Sequence, residues 1–231
     1  MYQYLCPVWV YSNTVPNGNE RRTIFFAIFA DGMIKAILFD IGGVLVGLDM
    51  ERSIRAFKEV LGYERITEIL DPCHQKGIYG DLEAGILSAD DFRSAILAES
   101  RPGSRPEDVD RCMWALLAGV SPETAAAVRS VYGLYPLYLL SNNNPINMVA
   151  CHKALDDAGI GGMFDGEFIS WEMKMLKPSA EFYREVIRRL GLAPEDTLFI
   201  DDSASNVEGA RAVGIDARLL EPGTPLSSLL P

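Results

Sequence analysis

IKAILFDIGGVLVG, residues 34–47, is the stretch on which the fold turns. Ile34 to Phe39 is an apolar run of strand length, interrupted only by Lys35, and it ends at Asp40. Gly42, Gly43 and Gly47 then make the backbone permissive. A half-exposed strand alternates polar and apolar residues, whereas an unbroken apolar run suits a parallel strand buried on both faces. Such a strand places a ligand site beyond its carboxyl end.

The same signature recurs downstream. Leu137 to Leu140 runs into Ser141, Phe168-Ile169 is a short apolar pair, Thr197 to Ile200 runs into Asp201-Asp202, and Ala217 to Leu220 is a last strand. Helical segments separate them. Ser121-Pro122-Glu123 starts a helix through Val131, with Gly133 ending it. Pro145 to Ala158 reads as another helix, Pro178 to Leu190 aligns Phe182, Val186 and Leu190, and Asn206 to Val213 closes at Gly214. Strands alternating with helices predict an α/β fold, a Rossmann-like parallel sheet with right-handed crossovers.

Between the first strand and this alternation lies a block of different character. From Met50 to about Gly119 the pattern is helical: Ile54, Phe57 and Leu61 share a face in ERSIRAFKEVLG, and Gly62 is placed to cap it. Ser88 caps SADDFRSAIL with Asp91 in a capping-box position, and RPEDVDRCMWALLAG reads as one more helix. Nothing in the block reads as a strong strand. The expectation is an all-helical insert over 50–119 in a core built from 33–49 and 120–231.

Residues 1–32 differ again. SNTVPNGNE, 12–20, is turn-rich, and Arg21-Arg22 precede a short apolar run from Ile24 to Ala30. A positive pair before an apolar segment has the look of a secretory signal, but the run is far below the ~18 residues that span a bilayer. Met33 stands directly before the first strand. We therefore expect residues 1–32 to be a mis-called upstream start or a dispensable extension.

Composition narrows the class. The 231 residues carry 32 acids against 21 bases, a formal charge of −11, and nucleic-acid binding depends on Lys and Arg neutralising phosphates. No nucleic-acid partner and no membrane partner is expected. Four cysteines without CxxC spacing read as thiols of a reducing cytoplasm. Cys73-His74 and Cys151-His152 are sequence neighbours, whose side chains rarely converge on one ion. Monomer and dimer are both open.

Three polar clusters follow expected parallel strands: Asp40, Ser141-Asn142 and Asp201-Asp202. Lys177, in a loop before a helix, is the cation to join them. Each has a plainer reading, since strand-end acids often cap helices and SNNNP is good turn chemistry. The ordered set favours chemistry, and it suits phosphoryl transfer. Asp40 and Asp201-Asp202 supply hard oxygen ligands for Mg²⁺, which would offset repulsion between an Asp nucleophile and an anionic phosphate. Ser141, the Asn142 backbone N–H and Lys177 would hold phosphate oxygens. An Asp nucleophile splits one difficult displacement into two.

With these residues in place, the sequence resembles the haloacid dehalogenase (HAD) superfamily, in the branch with a helical cap after the first strand. ILFDIGGVLV (37–46), LLSN (139–142), KP (177–178) and FIDDSASNVEGA (199–210) look like its four motifs in order. The resemblance covers about 33–220. It implies Asp40 as nucleophile and metal ligand, the Gly42 carbonyl as a further ligand, and Asp202 as the direct carboxylate ligand with Asp201 supporting it. It also implies phosphate contacts from Ser141 and Asn142, with Lys177 paired to Asp40 and the phosphate.

One departure stands out. The phosphatase pattern has a second Asp two residues after the nucleophile as general acid/base, and this chain has Gly42 there. The DxGG start is similar to that of a branch that includes sugar-phosphate phosphatases, and it counts against a β-phosphoglucomutase type. The expectation is a Mg²⁺-dependent phosphatase acting on a small-molecule phosphate ester, with a sugar phosphate as candidate. The alternatives are a non-catalytic phospholigand-binding protein, favoured by Gly42, and a 2-haloacid dehalogenase, disfavoured because a metal-free site gains nothing from clustered acids. Substrate choice would lie in the insert, where Tyr79, His74 and a loop around Gly77 to Asp81 either face the cleft or pack internally.

Overall fold

The computed structural model describes residues 9–17, 20–27, 33–70 and 76–231. Strands β1 (Trp9–Asn17) and β2 (Glu20–Ala27) pair antiparallel as a two-stranded sheet of their own. Residues 1–8, 18–19 and 28–32 of the expected extension lie outside the described residues.

From Met33 the chain runs β3 (Ala36–Phe39), β4 (Gly47–Leu48), then α1 (Met50–Ala56), which continues as a π turn over Phe57–Leu61. Helices α2 (Ile66–Ile69), α3 (Gly77–Glu83), α4 (Ala89–Ala98) and α5 (Pro106–Trp114) follow. Next come β5 (Leu117–Gly119), α6 (Pro122–Val131), β6 (Leu137–Ser141) and α7 (Pro145–Asp157). The chain ends with β7 (Gly166–Ile169), α8 (Ser170–Met173), α9 (Ala180–Leu190), β8 (Thr197–Asp201), α10 (Ala204–Arg211) and β9 (Asp216–Leu219).

Five strands form one sheet in the order β7-β6-β3-β8-β9, every pair parallel. β3 is central and its four residues are fully buried, which is why its sequence is unbroken apolar. Its side chains alternate between faces. Ile37 and Phe39 pack with Val128 and Leu155 on the α6–α7 side, and Leu38 packs with Phe182, Val186 and Val207 on the α9–α10 side. Each such large side chain contributes about 1.5–3 kcal/mol on burial. In register, Phe39 lies opposite Leu139 on one neighbour and Ile200 on the other. Asp40, Ser141 and Asp201 therefore emerge at one edge of the sheet.

Helices α1–α5 surround their own apolar cluster, with Phe57, Leu61, Tyr79, Phe92, Ile96 and Met113 among its buried members. The local signals read from sequence are present. Gly62 closes the turn after Leu61, and the Ser88 hydroxyl accepts from the Asp91 N–H at 3.1 Å. Two expectations need correction. The helix through RPEDVDRCMWALLAG stops at Trp114, and Leu117–Gly119 is a strand, β5, antiparallel to β4. Here the backbone is claimed by distant partners: the Asp49 N–H donates to the Leu116 carbonyl at 2.7 Å, and the Arg52 guanidinium donates to the carbonyls of Ala115 and Leu117. The insert thus leaves and re-enters the core through a two-stranded ribbon. The supposed loop Gly77 to Asp81 is the start of helix α3.

Candidate active site

Asp40 follows β3 at the sheet's carboxyl edge. Its N–H donates to the Ile200 carbonyl at 2.9 Å, and its Oδ1 accepts from the Ile41 N–H at 2.7 Å. Beside it sits Lys177, its side chain only 1% exposed. The Lys177 Nζ is 3.0 Å from Asp40 Oδ1 and 2.6 Å from Asp201 Oδ2, and donates to the Leu140 carbonyl at 3.1 Å. Its placement is fixed by the neighbouring loop: the Lys177 N–H donates to Asn142 Oδ1 at 2.8 Å, and Asn142 Nδ2 donates to the Lys177 carbonyl at 2.9 Å. Burial works against the ammonium charge, but the carboxylates of Asp201 and Asp40 outweigh it and hold Lys177 above its ordinary value. Burial drives Asp40 well above the usual carboxylate range; Lys177 opposes that and Asp201 adds to it.

The two acids at the end of β8 differ in their surroundings. Asp201 is fully buried, and its carboxylate accepts from Lys177, from the Ser203 N–H at 2.8 Å and from Asn206 Nδ2 at 3.0 Å. Asp202 is exposed at the mouth of the site. Burial of its carboxyl, then the Asp201 charge, raise it. One oxygen each from Asp40, Asp201 and Asp202 can be chosen so that all lie within 4.8 Å of one another. Three hard carboxylate donors so close repel unless a cation joins them, and this donor type fits Mg²⁺.

Gly43 makes room for that cluster. Its φ is +80°, and a Cβ there would stand 1.9 Å from Asp202 Oδ2. Gly43→Ala should therefore cost roughly 1–3 kcal/mol of stability through its backbone alone and drive Asp202 out of the group. Denaturant unfolding and Mg²⁺ titration calorimetry would read both effects; wild-type values in both would refute this account.

A cleft of about 850 Å³ opens over these groups. Its far wall comes from the insert, through Tyr79 and Glu83 of α3, with Asn147 of α7 beside them. Tyr79 belongs mainly to the packing: it is 1% exposed, meets Phe92 edge-on at 5.9 Å, and its hydroxyl accepts from Asn147 Nδ2 at 3.0 Å. Glu83 is anchored to the core, because its carbonyl accepts from the Ser170 hydroxyl at 2.7 Å. The same hydroxyl accepts from the Asn143 N–H, next to Ser141-Asn142. Gly85 permits this contact: its φ is +65°, and a Cβ would lie 2.2 Å from the Trp171 carbonyl.

The structure thus gathers Asp40, Gly42, Ser141, Asn142, Lys177 and Asp202 around one cleft, with Asp201 directly beneath. Asn142 spends its side chain on Lys177, so only its backbone could reach a phosphate. His74 and Cys73 lie outside the described residues. The second Cys-His pair separates: Cys151 is buried, while His152 is exposed and 2.8 Å from Glu167. The site also holds Glu83, Asn147 and Asn206, none of them an expected site residue. For Glu83 one signal existed, its spacing of four from Tyr79, which puts both on one helical face.

Comparison with known proteins is consistent with this geometry. A family model for haloacid dehalogenase-like hydrolases matches residues 34–214. D-ribitol-5-phosphate phosphatase of Bacteroides thetaiotaomicron is 31% identical over 194 residues, 83% of this chain and 94% of that protein. A HAD family enzyme of the same organism, solved in complex with magnesium and inorganic phosphate, superposes with a TM-score of 0.76. It is 30% identical over 86% of this chain and 100% of that one. A HAD-like hydrolase from Porphyromonas gingivalis gives a TM-score of 0.70 and 34% identity, over 83% of this chain and 93% of that one. Among the described residues no helix is long and apolar enough to cross a membrane.

Proposed function

The chain belongs to the haloacid dehalogenase-like hydrolases, and we propose that it is a phosphatase of that family, hydrolysing a small sugar- or polyol-phosphate ester with Mg²⁺ through an aspartyl-phosphate on Asp40. The observation that carries this reading is the contact of Lys177 with Asp40 at 3.0 Å inside the acidic cluster. That arrangement gives one carboxylate oxygen for attack and fixed positive charge beside it. Asp40, Asp202 and the Gly42 carbonyl would hold the metal, with Asp201 orienting the set. Bound Mg²⁺ would supply charge neutralisation for the phosphate and for the carboxylates around it.

Ser141, the Asn142 N–H and Lys177 would hold the phosphate oxygens where charge gathers in the transition state. Residues 50–119 would act as a cap whose α3 closes the cleft and excludes water. Asn143, Asn147 and Ser205 in the cleft would give a polyol or sugar hydrogen-bonding partners, and the similarity to a ribitol-phosphate phosphatase points to the same class. The absence of a side chain at Gly42 favours a second reading, a phospholigand-binding protein without turnover. The clustered acids speak against a metal-free dehalogenase.

A panel of polyol, sugar and aryl phosphates, assayed with Mg²⁺ and after chelation, tests the proposal. Turnover of at least one ester should be lost with EDTA and restored by Mg²⁺. Undiminished turnover in EDTA would remove the metal from the proposal, and phosphate binding with no turnover of any ester would favour the binding protein.

A further inference from the structure

We propose that Glu83, carried on the inserted helix α3, donates the proton to the departing alcohol and takes one from the attacking water in the second half of the reaction. The inference rests on the phosphatase reading above and supplies the acid that Gly42 cannot.

When Asp40 attacks phosphorus, the bond from phosphorus to the ester oxygen breaks and its electron pair stays on that oxygen. An alkyl oxygen leaving as an alkoxide is strongly basic, so a positioned acid accelerates the step by typically ~10²–10⁴-fold. Among the described residues the cleft has few candidates for that acid. Asp40 is the attacking group. Asp201 is occupied by Lys177, Ser203 and Asn206. Asp202 belongs to the metal cluster, and Lys177 is held between two carboxylates. Tyr79 is buried, and burial, with the Glu83 charge adding, raises its hydroxyl far above the ordinary tyrosine value.

Glu83 differs from all of these. It lines the same cleft as Asp40, and among the described residues its carboxyl group has no hydrogen bond or ion pair. Its backbone is nevertheless fixed, through the Ser170 hydroxyl that also holds Asn143. Burial, with the Asp40 charge adding and Lys177 opposing, pushes the Glu83 carboxyl up to about 8, so near neutral pH it carries the proton it would give. A second observation points to a ligand at the same wall. Asn147 is 4% exposed, lines the cleft, and its Oδ1 has no hydrogen-bond partner among the described residues. A substrate hydroxyl would supply one.

The steps balance. The Glu83 proton passes to the ester oxygen, the alcohol departs, and Glu83 is left as a carboxylate facing Asp40-phosphate. Water then attacks phosphorus, its proton returns to Glu83, the bond from phosphorus to the Asp40 oxygen breaks, and inorganic phosphate leaves.

Leaving-group dependence in rapid-quench single turnovers tests this. Wild type and Glu83→Gln would be compared with Mg²⁺ on p-nitrophenyl phosphate, whose anion leaves unaided, and on ribitol 5-phosphate or the best alkyl ester of the panel. Alcohol release from the alkyl ester should slow by about 10²-fold or more. The p-nitrophenolate burst should slow by a factor at least thirtyfold smaller, and its amplitude counts folded, competent sites. Equal slowing of both esters, or unslowed alkyl release, overturns the proposal. Absence of turnover in the wild type on every ester would instead remove the phosphatase reading, and this inference with it.

Discussion

Asp40→Asn is expected to lower phosphate-ester turnover by on the order of 10⁴-fold or more, with the chain still folded. The substitution preserves shape and leaves an amide oxygen to accept from the Ile41 N–H, a bond that positions the side chain in the parent. What it removes is the electron pair proposed to attack phosphorus and one carboxylate of the acidic cluster. Without the nucleophile no covalent phosphoenzyme can form, so the decline should appear in kcat and not only in KM. Acid quench of the wild type with labelled ester should leave phosphate attached to Asp40, and the variant should trap none. Thermal melting of the two proteins would establish that both are folded. A variant that turned over esters at the parental rate would rule out Asp40 as the nucleophile. Water attacking directly would survive this substitution; a covalent route through Asp40 would not.

Why so much of this site is readable from sequence follows from where its residues sit. β3 and the Leu198–Ile200 run of β8 are buried on both faces and therefore apolar, and the acid that ends each run marks the sheet edge: Asp40 in one case and Asp201 in the other. Adjacent parallel strands in register then bring those residues together whatever their separation in the chain. The Ser88 cap was legible because its partner is three residues away.

Features that depend on distant partners were not legible. β4 and β5 are two and three residues long, rich in glycine and small residues, and carry no periodicity; only the pairing of Gly47 with Gly119 and the Arg52 contacts make them strands. Helix α8, four residues long and directly following β7, is likewise too short to leave a pattern. Glu83 is an ordinary surface-type residue on an ordinary helix until Ser170 anchors the end of α3 above the sheet edge. Its chemistry comes from docking between insert and core, which no local pattern encodes. Asn142 shows the reverse: the residue was legible, but its side chain serves Lys177 instead of a ligand.

Lys177→Met is expected to combine the largest loss of stability with a severe loss of activity. Lys177 is the counter-charge to two carboxylates, at 3.0 and 2.6 Å, in a place where all three side chains are largely shielded from water. Methionine roughly matches the apolar stem and retains contact with the Phe199 ring, over which the Lys177 ammonium lies at 5.3 Å. The comparison therefore isolates the charge. Breaking a buried pair by removing one partner typically costs ~3–5 kcal/mol, because the remaining charge is left uncompensated, and here two remain. For a chain of this size that corresponds to a Tm lower by roughly 10 °C. Acid should relieve part of the loss, since protonating Asp40 removes one stranded charge, so the deficit should be smaller at pH 5 than at pH 8. Mg²⁺ should relieve it too, by supplying positive charge to the same oxygens. The double substitution Lys177→Met with Asp201→Asn should be less destabilised than the two single losses summed, because the residues touch. Activity would not return with stability: in the proposed function Lys177 also faces the phosphate, such a donor is typically worth ~10²–10³-fold in kcat, and neither acid nor Mg²⁺ rebuilds it. A Tm equal to the parent's at pH 8 without Mg²⁺ would show that Asp201 and Asp40 do not need Lys177, and would undo the electrostatic account of the site.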